Sequence, residues 1–180
     1  MPDSDRLYYS DPFLKTFTAT IADVREPSTS ESGSLWQVSL DRSAFYPTSG
    51  GQPYDTGLLR TTTAASSSQE ISVEQVEEDD AGTVWHFIQQ PIATGTQVEG
   101  EIDWTRRFDH MQQHTGQHVL SAAFDRLFGV RTESFHLGAE SSTIDLAREV
   151  SASEVERAED ESNRILWEDR SVAIRFVDAA

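Results

Sequence analysis

The sequence contains no cysteine. Disulfides and thiolate nucleophiles are therefore excluded, and any metal must be held by His, Asp, Glu or water. Basic residues are few: 14 Lys and Arg stand against 31 Asp and Glu, for a net charge of −17. Such a field repels polyanions at long range, which disfavours electrostatic wrapping of nucleic acid. An RNA partner needs a local basic patch, extra domains, or a contact confined to one end of the RNA. Arg106, Arg107, Arg126 and Arg131 are the candidates for that patch. No apolar run approaches the roughly 20 residues of a membrane span. The N-terminal "MPDSDRLYYS" lacks the basic and then apolar pattern of a secretory signal. These absences point to a soluble, cytoplasmic protein.

A length of 180 residues with 37% hydrophobic residues suits one medium domain or two small ones, each with a packed core. Residues 7–100 read as β. "FTATIADV" alternates Phe17, Ala19 and Ile21 on one face, and "SLWQVSLD" alternates less cleanly. Between them "REPSTSESGS" has the composition of a loop. "DTGLLR", "EISVEQVEE", "TVWHFIQQ" and "GTQVEGEIDW" continue the short strands. "EDDAGT" suits a hairpin turn, and "TTTAASSSQ" is a low-complexity polar loop. Many short strands with turn signals predict a small barrel or sandwich.

Near Trp104 the period becomes helical. Phe108, Met111, Thr115, His118 and Ala122, with Val119 and Ala123, recur at three- and four-residue steps up to Phe128. Asp103 or Thr105 can cap the start, and Gly129 suits the end. "VRTESFHLG" and "STIDLA" predict two strands. "SASEVERAEDESNRILWED" predicts a second helix, with Ser153 and Glu156 as a capping box and Val155, Ala158, Ser162, Ile165 and Leu166 on its buried side. "SVAIRFV" predicts a final strand. The second half is thus α+β, with two helices against an antiparallel sheet.

Three segments carry candidate chemistry. In "HTGQH", His114 and His118 stand four apart, on one side of a helix, with Cβ atoms roughly 6 Å apart. Two imidazoles so placed can converge on one metal ion, the geometric reason for H-x-x-x-H in zinc sites. The same spacing also suits a packed helix face. His110 extends the series, but it and His118 are separated by about 12 Å along the axis, too far for one ion to touch both. The second segment, "FYPTSGGQPYDTG" (residues 45–57), combines Gly50, Gly51 and Gly57 with Pro47 and Pro53. It suits an ordinary tight loop, or a rigid one that brings backbone close to a ligand; Thr48 and Gln52 are its polar candidates. In the third, "SFHLGAESSTIDL", His136 lies out of phase with Phe135 and Leu137, and Asp145 alternates with Ile144 and Leu146. A metal site built on His110, His114, His118 and a carboxylate such as Asp109 or Asp145 is a further arrangement these residues allow.

In this order and spacing, "FYPTSGGQPYDTG", "MQQHTGQHVLSAAF" and "SFHLGAESSTIDL" resemble the editing domain of alanyl-tRNA synthetase and the free-standing alanyl-tRNA editing proteins. The resemblance covers residues 10–178. It implies a small N-terminal β-barrel carrying the glycine-rich loop (residues 1–104), followed by an α+β editing domain (residues 105–180) of the kind shared with threonyl-tRNA synthetase. It implies hydrolysis of mischarged tRNA, releasing serine or glycine from the acceptor end of tRNA(Ala), without ATP. It implies zinc bound by His114 and His118, with Gln117 and Gln52 approaching the aminoacyl group and Arg106, Arg107 and Arg131 near the acceptor stem. In one respect the sequence departs from the family. Two further zinc ligands belong to a later Cys-x-x-x-His segment, and no cysteine is present and no histidine follows His136. Either the sequence is a shortened form of a longer chain, or the zinc site has degenerated and the protein is a non-catalytic module that binds tRNA ends or proteins.

Overall fold

The computed structural model describes residues 5–30, 33–61, 69–138 and 141–172. The elements are α1 (Leu7–Ser10), β1 (Thr16–Ser30), β2 (Gly33–Leu40), β3 (Gly57–Thr61), β4 (Glu70–Glu78), β5 (Val84–Ile88), β6 (Gln97–Ile102), α2 (Trp104–Phe128), β7 (Thr132–Leu137), β8 (Ser142–Leu146) and α3 (Ala152–Trp167). The fold class is α+β. The chain divides into two compact units, Met1–Met111 and Gln112–Ala180, so the division falls within α2 rather than at residue 104 ahead of it.

In the first unit the strands close into an antiparallel barrel in the order β1-β2-β5-β4-β3-β6. Alternation builds it: β4 buries Ile71, Val73 and Val76 and exposes Glu70, Ser72 and Glu74, as a strand with one wet face must. The interior is filled by Ile21, Val38, Leu40, Phe45, Leu59, Ile88 and Val98. β5 is buried on both faces because its outer Trp85 and Phe87 pack with Leu35. The "EDDAGT" turn is held by Asp79, whose Oδ1 accepts from the N–H groups of Ala81 (3.1 Å) and Thr83 (3.0 Å).

Two β expectations change. Residues 7–10 form the short helix α1 instead of a strand. Much of "REPSTSESGS", expected as a loop, is strand: β1 and β2 pair as far as Ser30 and Gly33, after a register shift between Arg25 and Ser28. Backbone pairing across a long hairpin overrides the loop-like composition there. The polar stretch 62–68 lies outside the described residues, as does most of the expected final strand "SVAIRFV".

In the second unit β7 and β8 form an antiparallel pair, with Phe135 opposite Ile144 and His136 opposite Thr143. Ala123, Phe124, Val130 and Ala158 form its small core, joined by Leu120, Phe128, Leu146 and Val150. α3 starts with a capping box two residues earlier than expected. The Ser151 hydroxyl accepts from the Glu154 N–H, and the Glu154 carboxylate accepts from the Ser151 N–H at 2.8 Å. Ala158 and Ser162 are its buried residues, whereas Val155 and Leu166 are exposed.

Candidate functional site

The start of α2 is fixed from the sequence upward. Asp103 Oδ1 accepts from the Arg106 N–H at 3.1 Å, capping the helix as one of the two expected residues. One turn on, Arg107 turns into the barrel unit. Its Nε lies 2.9 Å from both carboxylate oxygens of Asp55, and its NH1 donates to the Pro12 carbonyl at 3.1 Å. Its NH2 donates to the carboxylate of Asp55 and, at 2.5 Å, to the Ala44 carbonyl. Arg107 is 3% exposed and Asp55 0%. Asp55 also accepts from the Tyr46 N–H at 2.7 Å, and its own N–H returns to the Tyr46 carbonyl at 2.9 Å. The ends of the glycine-rich loop are therefore clamped together by one buried carboxylate. At the loop's tip Ser49 and Gln52 exchange backbone hydrogen bonds around Gly50 and Gly51, at φ +57° and +79°, values that favour glycine.

This arrangement removes Arg107 from the expected phosphate-binding set, because its guanidinium is enclosed. Arg106 donates to the Tyr54 carbonyl at 3.0 Å and lies over the Tyr54 ring. Arg126 pairs with Glu161 at 3.0 Å. Arg131 is exposed. Gln52 is buried, 6% exposed, and belongs to the barrel unit. His110 is also buried there, and among the described residues its Nδ1 has no hydrogen-bond partner. Burial, reinforced by the neighbouring Arg106 charge, lowers its pKa.

The second unit holds the histidine pair. His114 and His118 project from successive turns of α2, their rings stacked at 4.8 Å between centroids and 26° between planes. The Phe135 ring on β7 lies against both, at 5.5 Å from His114 and 6.3 Å from His118. Burial, and then the adjacent His118, lower the pKa of His114 and favour its neutral imidazole, the form that ligates metals. Two nitrogen donors side by side fit half of a tetrahedral zinc site. Among the described residues, no group of three or more His, Asp and Glu side chains is placed to hold a metal ion. That result removes the expected alternative in which His110 and a carboxylate complete the site. Asp145 accepts instead from the Ser134 hydroxyl, and His136 is exposed. Thr115 is exposed as well.

Gln117, on the same helix, directs Nε2 to Ser121 Oγ at 2.6 Å; that oxygen also receives Thr132 Oγ1 at 2.8 Å. Its own Oε1 is buried without a partner among the described residues. His114, His118, Gln117 and Phe135 therefore share one unit, and Gln52 and the glycine-rich loop the other. Sequence reading missed Asp55 and the barrel histidine, His86. Asp55 followed "QPY" as one more loop acid, and nothing in the sequence tied it to Arg107 across 52 residues.

Comparison with known proteins supplies the class first. The family described as tRNA synthetases class II (A) matches residues 1–106. The alanine–tRNA ligase of Pyrococcus furiosus is 37% identical over 178 residues, covering 96% of this chain and 18% of that protein. The alanyl-tRNA editing protein AlaX-L of Pyrococcus horikoshii is 36% identical over 177 residues, covering 97% of this chain and 41% of that protein. The alanyl-tRNA editing protein Aarsd1 of Mus musculus is 36% identical over 174 residues, covering 92% and 40%. The chain belongs to the alanyl-tRNA editing family, and it spans well under half the length of each of these relatives.

Proposed function

We propose that the chain serves as a trans-editing deacylase, hydrolysing the ester of serine or glycine wrongly attached to tRNA(Ala), with zinc held by His114 and His118. The observation that carries this reading is the imidazole pair itself: neighbouring rings on successive turns of α2, packed against Phe135. Relatives named as alanyl-tRNA editing proteins support the substrate class.

Zinc, when bound, supplies a Lewis acid suited to an acyl ester. The chain's own part is positional. The helix backbone fixes both imidazoles, the Phe135 ring lies against them, and Gln117 stands between them on the same helix, hydrogen-bonded to Ser121. His114 and His118 would hold the ion through their ring nitrogens, and its other ligands would come from water, substrate or further side chains. A net charge of −17 disfavours an extended RNA contact by this chain and fits one limited to the acceptor end. A cytoplasmic location fits this role.

A second reading, a non-catalytic module for tRNA ends or proteins, is favoured by the lack, among the described residues, of a third side-chain ligand beside the pair. A deacylation assay separates them. Release of serine from serine-charged tRNA(Ala), abolished by a chelator and restored by zinc, supports the deacylase. Binding of charged tRNA with no release above the spontaneous rate supports the module.

A further inference from the structure

Phe13, Trp104 and Phe108, all within the barrel unit, form a ladder of neighbouring rings. Trp104 stacks with Phe108 at 5.6 Å between centroids and 27° between planes, and Phe13 lies 6.0 Å from Trp104 on a tilted plane. Phe13 is 59% exposed and Phe108 41%. Apolar side chains scattered singly over a surface need no explanation. Rings in mutual contact and open to solvent mark a surface that another molecule covers.

An aspartate accompanies each ring. Asp11 Oδ1 accepts from the Phe13 N–H at 2.9 Å, Asp103 precedes Trp104 and Asp109 follows Phe108; all three aspartates are exposed. Trp104 already carries a cation. The Nζ of Lys15, the only lysine in the sequence, stands 4.7 Å from its ring centre. Among the described residues no cationic side chain lies over Phe13 or Phe108. Elsewhere on the barrel the chain shows the complete arrangement. The Arg25 guanidinium lies 3.7 Å from the centre of the Trp85 ring and 3.4 Å from Asp79 Oδ2, which also accepts from Trp85 Nε1 at 2.8 Å. Ring, carboxylate and guanidinium act there as one unit. At Phe13 and Phe108 the chain provides the ring and the carboxylate.

Charge decides what supplies the third part. A net charge of −17 attracts a cationic partner, and it repels both a polyanion and a second copy of the chain. Arginine suits the site better than lysine. Its planar, weakly hydrated guanidinium stacks on a ring and forks to a carboxylate at once.

We infer that Phe13, Trp104 and Phe108 form a docking platform for an arginine-bearing segment of a partner protein, its guanidinium groups lying on the open phenyl rings beside the aspartates. This interface does not depend on the deacylase reading.

The probe is an arginine–glycine repeat peptide, with lysine–glycine and citrulline–glycine versions as contrasts. Each is titrated into the full chain at about 0.15 M salt, where the general field is screened beyond about 8 Å. Binding is followed by the Trp104 indole N–H and by amide chemical shifts. Saturable shifts at Phe13, Trp104 and Phe108 are expected with the arginine peptide, binding at least about fivefold weaker with lysine, and none with citrulline. Phe13→Ser/Phe108→Ser leaves the net charge unchanged and should weaken the arginine peptide about tenfold. Phe13→Ser alone, at the most open ring, should weaken it about threefold with an unchanged melting temperature, which separates lost docking from lost folding. Parental affinity in both variants would show attraction by the field alone and overturn the platform. So would equal binding of the lysine peptide, or shifts confined to other surfaces. Saturation of the same rings by single-stranded oligocytidine but not by the peptide, or shifts there that follow protein concentration alone, would overturn it in favour of RNA or of a second copy.

Discussion

Arg107 and Asp55 meet as an enclosed ion pair, the guanidinium Nε 2.9 Å from both carboxylate oxygens, and so tie the start of α2 to the glycine-rich loop. Each partner is also bonded to backbone: Asp55 to the Tyr46 N–H, Arg107 to the Pro12 and Ala44 carbonyls. Removing one partner strands the other as a buried charge, which destabilises by about 3–5 kcal/mol. Asp55→Ala and Arg107→Ala should each lower the stability of the barrel unit by that amount in urea unfolding. The double variant Asp55→Leu/Arg107→Leu should lose less than the sum of the two. Additive losses in the double variant would mean that the pair does not act as a unit.

His86 gives the barrel a defined response to acid. It lies inside, with Nδ1 3.1 Å from the Val38 carbonyl and Nε2 2.8 Å from Ser43 Oγ. A carbonyl only accepts, so Nδ1 carries the proton; Ser43 Oγ, which takes the Phe45 N–H at 3.1 Å, donates its own proton to Nε2. The ring is thereby held neutral, and burial pulls its pKa down to about 4. The unfolded chain, with an ordinary His pKa near 6.5, binds the proton first. Stability from this residue is therefore complete above about pH 6.5, falls by about 1.4 kcal/mol per pH unit below it, and levels off near pH 4, a total of about 3 kcal/mol. Unfolding curves between pH 7 and 4 should show that slope in the parental protein and a smaller one in His86→Gln. Parallel curves would refute the assignment.

The register of the α3 cap is a sharper test than its existence. Two overlapping Ser-x-x-Glu patterns, Ser151 with Glu154 and Ser153 with Glu156, compete in the sequence. In the structure only the first is reciprocal, and Arg148 adds a 2.8 Å contact to Glu154. Ser151→Ala should cost about 1 kcal/mol and speed amide exchange in the first turn of α3, while Ser153→Ala should be nearly silent. The reverse ranking would restore the later cap.

The sequence was most legible where local pattern and global packing agree. The alternation of "EISVEQVEE" coincides with β4, and the helical period after Trp104 with α2. It failed where long-range partners decide. The apolar recurrence along α2 placed Phe108, Thr115, His118 and Ala122 on the packed face, but these are exposed; Ala123 is buried as expected, and with it Arg107, His110 and Phe124. An arginine and a histidine can occupy the interior only because Asp55 and the surrounding loop enclose them, and residues so distant in sequence leave no periodic trace. The histidine pair was visible because its signal is local, four residues on one helix. Phe135, which packs against it, was readable only as a core residue of a strand.

The central claim is that His114 and His118 together make the second unit a deacylase. Its most direct test is the single-turnover rate of serine release from serine-charged tRNA(Ala), measured for the parental protein with zinc and for the double variant His114→Ala/His118→Ala under the same conditions. The account predicts release well above the spontaneous rate in the first and a fall to that rate in the second, with the barrel's urea unfolding unchanged. Release by the double variant at the parental rate would contradict it.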